Sequence, residues 1–263
     1  MAGYLLLEGG AEFGGQMAQP DQRALELAGG LDALITIIPT AAAPDNNYLR
    51  AGNNGVSWFH SLGATRVESL PVIDKASAND PNIATKISQA HLVYMLGGFT
   101  GYLGETIKDS ASWRAMLKAY HSGAVIAGSS AGAMVMCQYY FDPGKNQVVE
   151  GLGLLPNTCV LPHHNTFGKG WASRLFHLMP DVLLLGLDEQ TGMLDDGPEG
   201  KKLGWRVYGK GSVTLYRKGN PTVYRTGEAF KEDFSANSRG DPHRRGLKEK
   251  GGKKARHRPD VRK

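Results

Sequence analysis

Cysteine is nearly absent: residues 137 and 159 are the only two in 263. Neither belongs to a C-x-x-C pair and both sit in apolar stretches. The pattern does not suggest a disulfide framework. It suggests two buried free thiols in a reducing cytoplasm. Long apolar runs are also missing. No window approaches the ~18 continuous apolar residues of a membrane span, so no membrane partner is expected. The opening "MAGYLLLEGG" has no basic n-region, and its apolar run covers only 4–7. It reads as a first strand rather than a signal peptide. No phosphate loop is present either. "EGGAEFGG" (8–15) lacks the G-x-G-x-x-G spacing and the Lys-Ser/Thr ending, and Glu8 and Glu12 would repel phosphate. It is expected to be a first βα loop near the site, without nucleotide.

Excess charge is lacking in the body of the chain, despite a pI of about 9.1. Of the 30 Lys/Arg, eleven lie in residues 235–263, against three Asp/Glu there. Residues 1–234 keep 19 basic against 22 acidic residues and are mildly acidic. The basic end has few apolar residues and cannot bury enough surface to offset its ordering entropy, so a disordered tail is expected. Such a tail could make weak contacts with nucleic acid or acidic partners by counterion release, or be a solvated extension. The expected organisation is one domain over 1–234 and a tail over 235–263.

What is present is an alternation of short apolar runs with helix-like segments. Strands are expected at 4–7, 33–40, 66–72, 91–98 and 124–128, and helices at 19–30, 46–62, 81–90 and 110–123. Repeated strand–helix–strand units predict an α/β fold with a mostly parallel sheet flanked by helices. Strands covered on both faces explain why "ALITII" and "AVIA" are solidly apolar. After about residue 180 the pattern turns to short strands with Gly, Asn and Pro turns. A β-rich end added to the same sheet is expected, with an antiparallel edge.

In an open α/β sheet, reactive groups collect at the carboxyl ends of strands. Two loops there invite chemistry. "GSSAG" (128–132) fits the G-x-S-x-G nucleophile elbow with Ser130 central and Gly128 and Gly132 flanking. Centred on Ser129, the frame would rest on Ala127 and Ala131, a weaker fit. The N–H of Ala131, at a helix start, would point at a developing oxyanion. In "MLGGFTGYLGE", Gly97 and Gly98 could supply a second donor, placed at Gly98. A serine needs a base. His243 and His257 lie in the tail, and His60, His91, His121 and His177 sit in strands or helices. The pair His163–His164 remains, in a loop after the short strand "TCVL". Adjacent side chains diverge and no acidic or thiol ligands cluster with them, so no metal or other cofactor is expected.

The base follows Ser130 by only 33 residues, too soon for an α/β-hydrolase. "GSSAGAMVM", "GLGLLPNTCVLPHH" and "LLGLDEQTGML" in this order, with Gly97-Gly98 upstream, resemble peptidase family S51, which includes dipeptidase E and the cyanophycinases. The resemblance spans roughly residues 3–225. It implies a flavodoxin-like or class I glutamine amidotransferase-like fold and a serine exopeptidase or dipeptidase acting on aspartyl or isoaspartyl (β-Asp) peptides. It places the base at His163. It implies an acid just before a proline, which Asp142-Pro143 fits, with Glu150 as the alternative. "LDEQTG" (187–192) is expected to be structural support below the site. Departures from the family are visible. Phe99-Thr100 stand where cyanophycinases carry Asp/Asn-Gln, and Thr100 is closer to the dipeptidase E pattern. The arginines that follow the cyanophycinase histidine are reduced to Lys169 and Arg174, the nearest cations for a substrate carboxylate. The expected protein is a cytoplasmic monomer or homodimer with a small peptide substrate. The alternative is a non-catalytic binding module on the same fold, its tail engaging nucleic acid.

Overall fold

The computed structural model describes residues 3–197, 204–218, 220–232 and 234. The basic segment 235–263, and with it the expected domain boundary, lies outside the described residues. The first half alternates as the sequence predicts: β1 (Leu5–Glu8), α1 (Ala18–Leu27), β2 (Leu34–Ile38), α2 (Tyr48–Ser61), β3 (Arg66–Ser69), α3 (Pro81–Gln89), β4 (Leu92–Met95), α4 (Thr100–Ile107), α5 (Ala111–His121), β5 (Val125–Ser129) and α6 (Ala131–Met136). Helix starts have local causes. Asp80 accepts from the N–H groups of Asn82 and Ile83 ahead of Pro81, and Ser110 accepts from Trp113 N–H. Helix α2 forms despite Gly52 and Gly55 because it packs too closely for larger residues: a Cβ on Gly52 would lie 2.1 Å from Ser69 Oγ.

The parallel strands run β1-β5-β4-β2-β3 within an eight-stranded sheet, and β10 (Thr191–Leu194), β11 (Trp205–Gly209) and β14 (Ala229–Phe230) extend it antiparallel beyond β1. Side chains alternate between two cores. Leu5 and Leu7 join one and Leu6 the other; Val93 and Met95 face the first, Leu92 and Tyr94 the second. Burial on both faces is what makes these strands solidly apolar.

The C-terminal strands do not all join this sheet, which corrects the expectation of one extended sheet. β8 (Thr158–Leu161) and β9 (Leu183–Leu187) pair in parallel, with β12 (Ser212–Arg217) and β13 (Asn220–Arg225) following antiparallel, in a separate four-stranded sheet. A hairpin, β6 (Tyr139–Asp142) and β7 (Gln147–Glu150), leads out of α6, and α7 (Ala172–Leu178) joins β8 to β9. Period alone cannot tell which sheet a short apolar run will join. Cys137 and Cys159 are buried free thiols, as expected. Burial pushes the Cys137 thiol up to about 12. Among the described residues no helix is long and apolar enough to cross a membrane.

Candidate active site

Register brings the ends of the parallel strands level. Glu8 lies opposite Ser129, Met95 opposite Gly128, and Ile38 opposite Met95. The loops that follow, Gly9-Gly10, Gly97-Gly98 and Ser130, therefore meet at one edge. Ser130 has φ 47° and ψ −108°, a backbone conformation that L-residues seldom adopt. Its glycine frame explains how the chain tolerates it. A Cβ on Gly128 would come within 2.5 Å of Gly132 C, and one on Gly132 within 2.2 Å of Met95 O. The frame thus selects Ser130 for the apex, while Ser129 ends β5 fully buried.

The histidine expected to be the base arrives from the second sheet. His163 follows β8, and its N–H donates to Gly9 C=O at 2.7 Å. Ser130 Oγ lies 3.0 Å from His163 Nε2, and His163 Nδ1 lies 2.8 Å from Glu189 Oε1. A carboxylate only accepts, so Nδ1 carries the proton and Nε2 is left to accept from the serine hydroxyl. The His163 and Glu189 side chains are 21% and 35% exposed, so the row opens to solvent on one side. Phe167 stacks on the His163 ring at 4.8 Å. Gly10 lies beneath that ring, where a Cβ would come 2.3 Å from His163 Cε1.

The carboxylate on His163 is Glu189, and neither Asp142 nor Glu150. Asp142 ends β6 and accepts from the N–H groups of Gly144 and Lys145, closing the hairpin turn. It is the turn residue that Asp-Pro-Gly suits. Glu150 pairs with Lys108 at the surface. Glu189 sits in the β9–β10 turn, inside the stretch expected to be mere support. The missed signal is a doublet: β8 and β9 are parallel neighbours, so the two histidines after one meet the two acids after the other. His163 takes Glu189 and His164 takes Asp188 at 3.4 Å, with Tyr216 Oη 2.8 Å from His164 Nε2. Burial alone would raise Asp188, but the hydrogen bonds from His164 and Ser212 outweigh it and leave it lowered.

The residues expected around the substrate divide. Gly98 follows β4 with φ 137°, its N–H free of backbone acceptors among the described residues, and Ala131 opens α6. Thr100 is buried with its hydroxyl 3.6 Å from Met134 Sδ, so it turns into the core and away from the site. Arg174 is held on the β6–β7 hairpin by the side-chain and backbone oxygens of Asn146, its guanidinium 5.4 Å from the centre of the Phe141 ring. Lys169 is exposed in the turn Gly168–Trp171.

Behind the elbow lies a buried acidic group. Glu8 and Asp21 are fully buried, Tyr94 donates to Glu8, and Trp58 Nε1 donates to Asp21 at 2.8 Å. Burial raises both carboxyls, Asp21 to about 7 and Glu8 well above its ordinary value. A cavity of about 630 Å³ opens beside this group, lined by Glu12, Phe13, Asp45, Trp58, Gly97 and Phe99 among others, with no Lys or Arg in its wall. Ser130 is not part of the wall. The cavity reaches the elbow through Gly97, whose Cβ position is 3.2 Å from Ser130 Cβ.

The sequence profile of peptidase family S51 matches residues 5–199. The chain belongs to peptidase family S51. Relatives within reach of this S51 peptidase include cyanophycinases. The one from Geminocystis herdmanii (strain PCC 6308) is 28% identical over 243 residues, covering 87% of this chain and 86% of its own. The one from Synechococcus elongatus is 27% identical over 224 residues, covering 81% and 67%. Among solved structures, a peptidase from an acI-B1 Actinobacterium superposes with a TM-score of 0.79 at 28% identity, covering 88% of this chain and 98% of that one. The S51 fold extends to a putative peptidase E protein from Listeria monocytogenes EGD-e, with a TM-score of 0.55 at 19% identity.

Proposed function

We propose that this S51 member is a serine-type peptidase that hydrolyses aspartyl peptides, in the isoaspartyl (β-Asp) linkage, with a basic side chain beside the scissile bond. The observation that carries the serine mechanism is the 3.0 Å contact of Ser130 Oγ with His163 Nε2, continued at 2.8 Å to Glu189. Ser130 Oγ attacks the carbonyl carbon as its proton passes to His163 Nε2. The N–H groups of Gly98 and Ala131 bind the oxygen that takes the negative charge. His163 returns the proton to the leaving nitrogen, the amine departs, and water repeats the sequence on the acyl-enzyme. Glu189 holds the imidazole tautomer and stabilises the imidazolium.

The wall of the adjoining cavity supports the basic side chain. Asp45 supplies negative charge, and Phe13, Trp58 and Phe99 supply aromatic rings, whose faces attract a cation by about 0.5–2 kcal/mol each. The cyanophycinase relatives fit this reading better than a free acidic side chain does. Of the two cations expected to meet a substrate carboxylate, Arg174 is engaged by Asn146 and Lys169 is exposed in the turn that follows His163. Ser130→Ala is expected to lower kcat on β-Asp-Arg by about 10³-fold or more. β-Asp-Arg is expected to be cleaved about tenfold or more faster than β-Asp-Glu, a difference of about 1.4 kcal/mol. Wild-type hydrolysis by Ser130→Ala would overturn the mechanism, and equal rates on the two dipeptides would overturn the substrate class.

A further inference from the structure

The elbow holds two hydroxyls, and only Ser130 contacts His163. Ser129 is fully buried, and its Oγ donates to Glu12 Oε2 at 2.9 Å. The other oxygen, Glu12 Oε1, accepts from Gly97 N–H at 3.1 Å. One carboxylate from the β1–α1 loop therefore ties the glycine loop after β4 to the elbow after β5. The three loops are in contact there: a Cβ on Gly97 would lie 2.9 Å from Glu12 Oε1 and 3.2 Å from Ser130 Cβ. On the far side the loop is braced by Ala41, whose C=O accepts from Phe99 N–H at 2.9 Å and would lie 2.4 Å from a Cβ on Gly98.

We propose that Glu12 is a positioning residue for the reaction, clamping the glycine loop to the elbow through the Leu96–Gly97 peptide so that the next N–H, that of Gly98, is aimed at the oxygen of the carbonyl under attack. The inference rests on Ser130 being the nucleophile. Oxyanion donors are effective only when they are held in place before charge develops. A Gly-Gly pair has more backbone freedom than any other dipeptide, and two hydrogen bonds to one carboxylate remove it. A negative charge this close does not itself favour an oxyanion, so the contribution of Glu12 lies in geometry. This gives the second serine a use: Ser129 is the elbow's half of the clamp.

The geometric role separates two substitutions. In Glu12→Gln, Oε1 can still accept from Gly97 N–H, and Nε2 can donate to Ser129 Oγ after the hydroxyl turns. Glu12→Ala keeps neither bond. The test is phosphonylation of Ser130 in the full chain by a fluorophosphonate, resolved into an inactivation rate constant and an apparent binding constant. Glu12→Ala is expected to slow inactivation by about 10–100-fold with binding changed less than about threefold. Glu12→Gln is expected to stay within about threefold of wild type in both. Ser129→Ala, which removes a single hydroxyl, is expected to be slowed by about 3–10-fold. Labelling of Glu12→Ala and Ser129→Ala at the wild-type rate would overturn the clamp and leave the nucleophile standing. Glu12→Gln as slow as Glu12→Ala would also overturn it, since charge rather than geometry would then be at work. A wild-type chain that is not labelled at all would remove the nucleophile and the clamp together.

Discussion

At the residue scale the site depends on which acid faces His163. Glu189→Gln leaves an amide that can stabilise the wrong imidazole tautomer, and kcat is expected to fall by about 10²–10⁴-fold with little change in thermal midpoint. Asp142→Asn is expected to keep kcat within about threefold of wild type, because Asp142 serves a hairpin turn. Steady-state kinetics on the two variants decides between them, and the reverse ranking would restore Asp142. The elbow serine was legible in the sequence because a strained turn needs its glycines at fixed offsets. The acid was not, because the β8–β9 pairing that places it is a long-range contact. No local offset from His163 encodes a carboxylate 26 residues away. Thr100 and Arg174 were misplaced for the same reason: their neighbours Met134 and Asn146 are distant in sequence.

At the element scale, β1 and α1 bury the Glu8–Asp21 pair under the strand ends. The folded state holds these protons more tightly than the unfolded chain does. The pair's contribution to stability is therefore full below the ordinary carboxyl range of about 4 and is lost as pH rises towards about 7. Glu8→Gln keeps an acceptor for Tyr94 but cannot ionise. It is expected to flatten the decline of thermal midpoint between about pH 5 and 8, worth on the order of a few kcal/mol. A midpoint profile with the wild-type slope would assign the decline to other groups. The strands and helices expected over residues 4–128 were readable to within a few residues, since solid apolar runs and amphipathic segments depend on local period, whereas the β6–β7 hairpin was not. Glu8 was visible as an acid near the site, but its burial was not. A carboxyl at the end of an apolar strand looks solvated until α1 and α2 close over it.

At the scale of the whole molecule, the site is shared between two sheets. Ser130 follows a strand of the eight-stranded sheet, His163 follows one of the four-stranded sheet, and Glu189 lies where the chain crosses between them. Catalysis should then be sensitive to how the small sheet is seated. Gly186 in β9 offers a check, because a Cβ there would lie 2.5 Å from the His164 ring. Gly186→Ala is expected to displace the His163–His164 loop, lowering kcat by about tenfold or more and the midpoint by several degrees, through overpacking of about 1–3 kcal/mol. Unchanged kcat would show that the loop is seated independently of β9. The sequence pattern reads as one extended sheet, and the division of the C-terminal strands between two, on which this depends, is not encoded in composition or period. The crossing also orders the site in time. Chains emerge from the ribosome amino end first, so Ser130 is made long before Glu189, and β10, the partner of β1, comes later still. A nascent chain bearing the serine elbow lacks the groups that would arm it. The Ser130–His163–Glu189 row can therefore close only after β9 and β10 have been made and β10 has paired with β1.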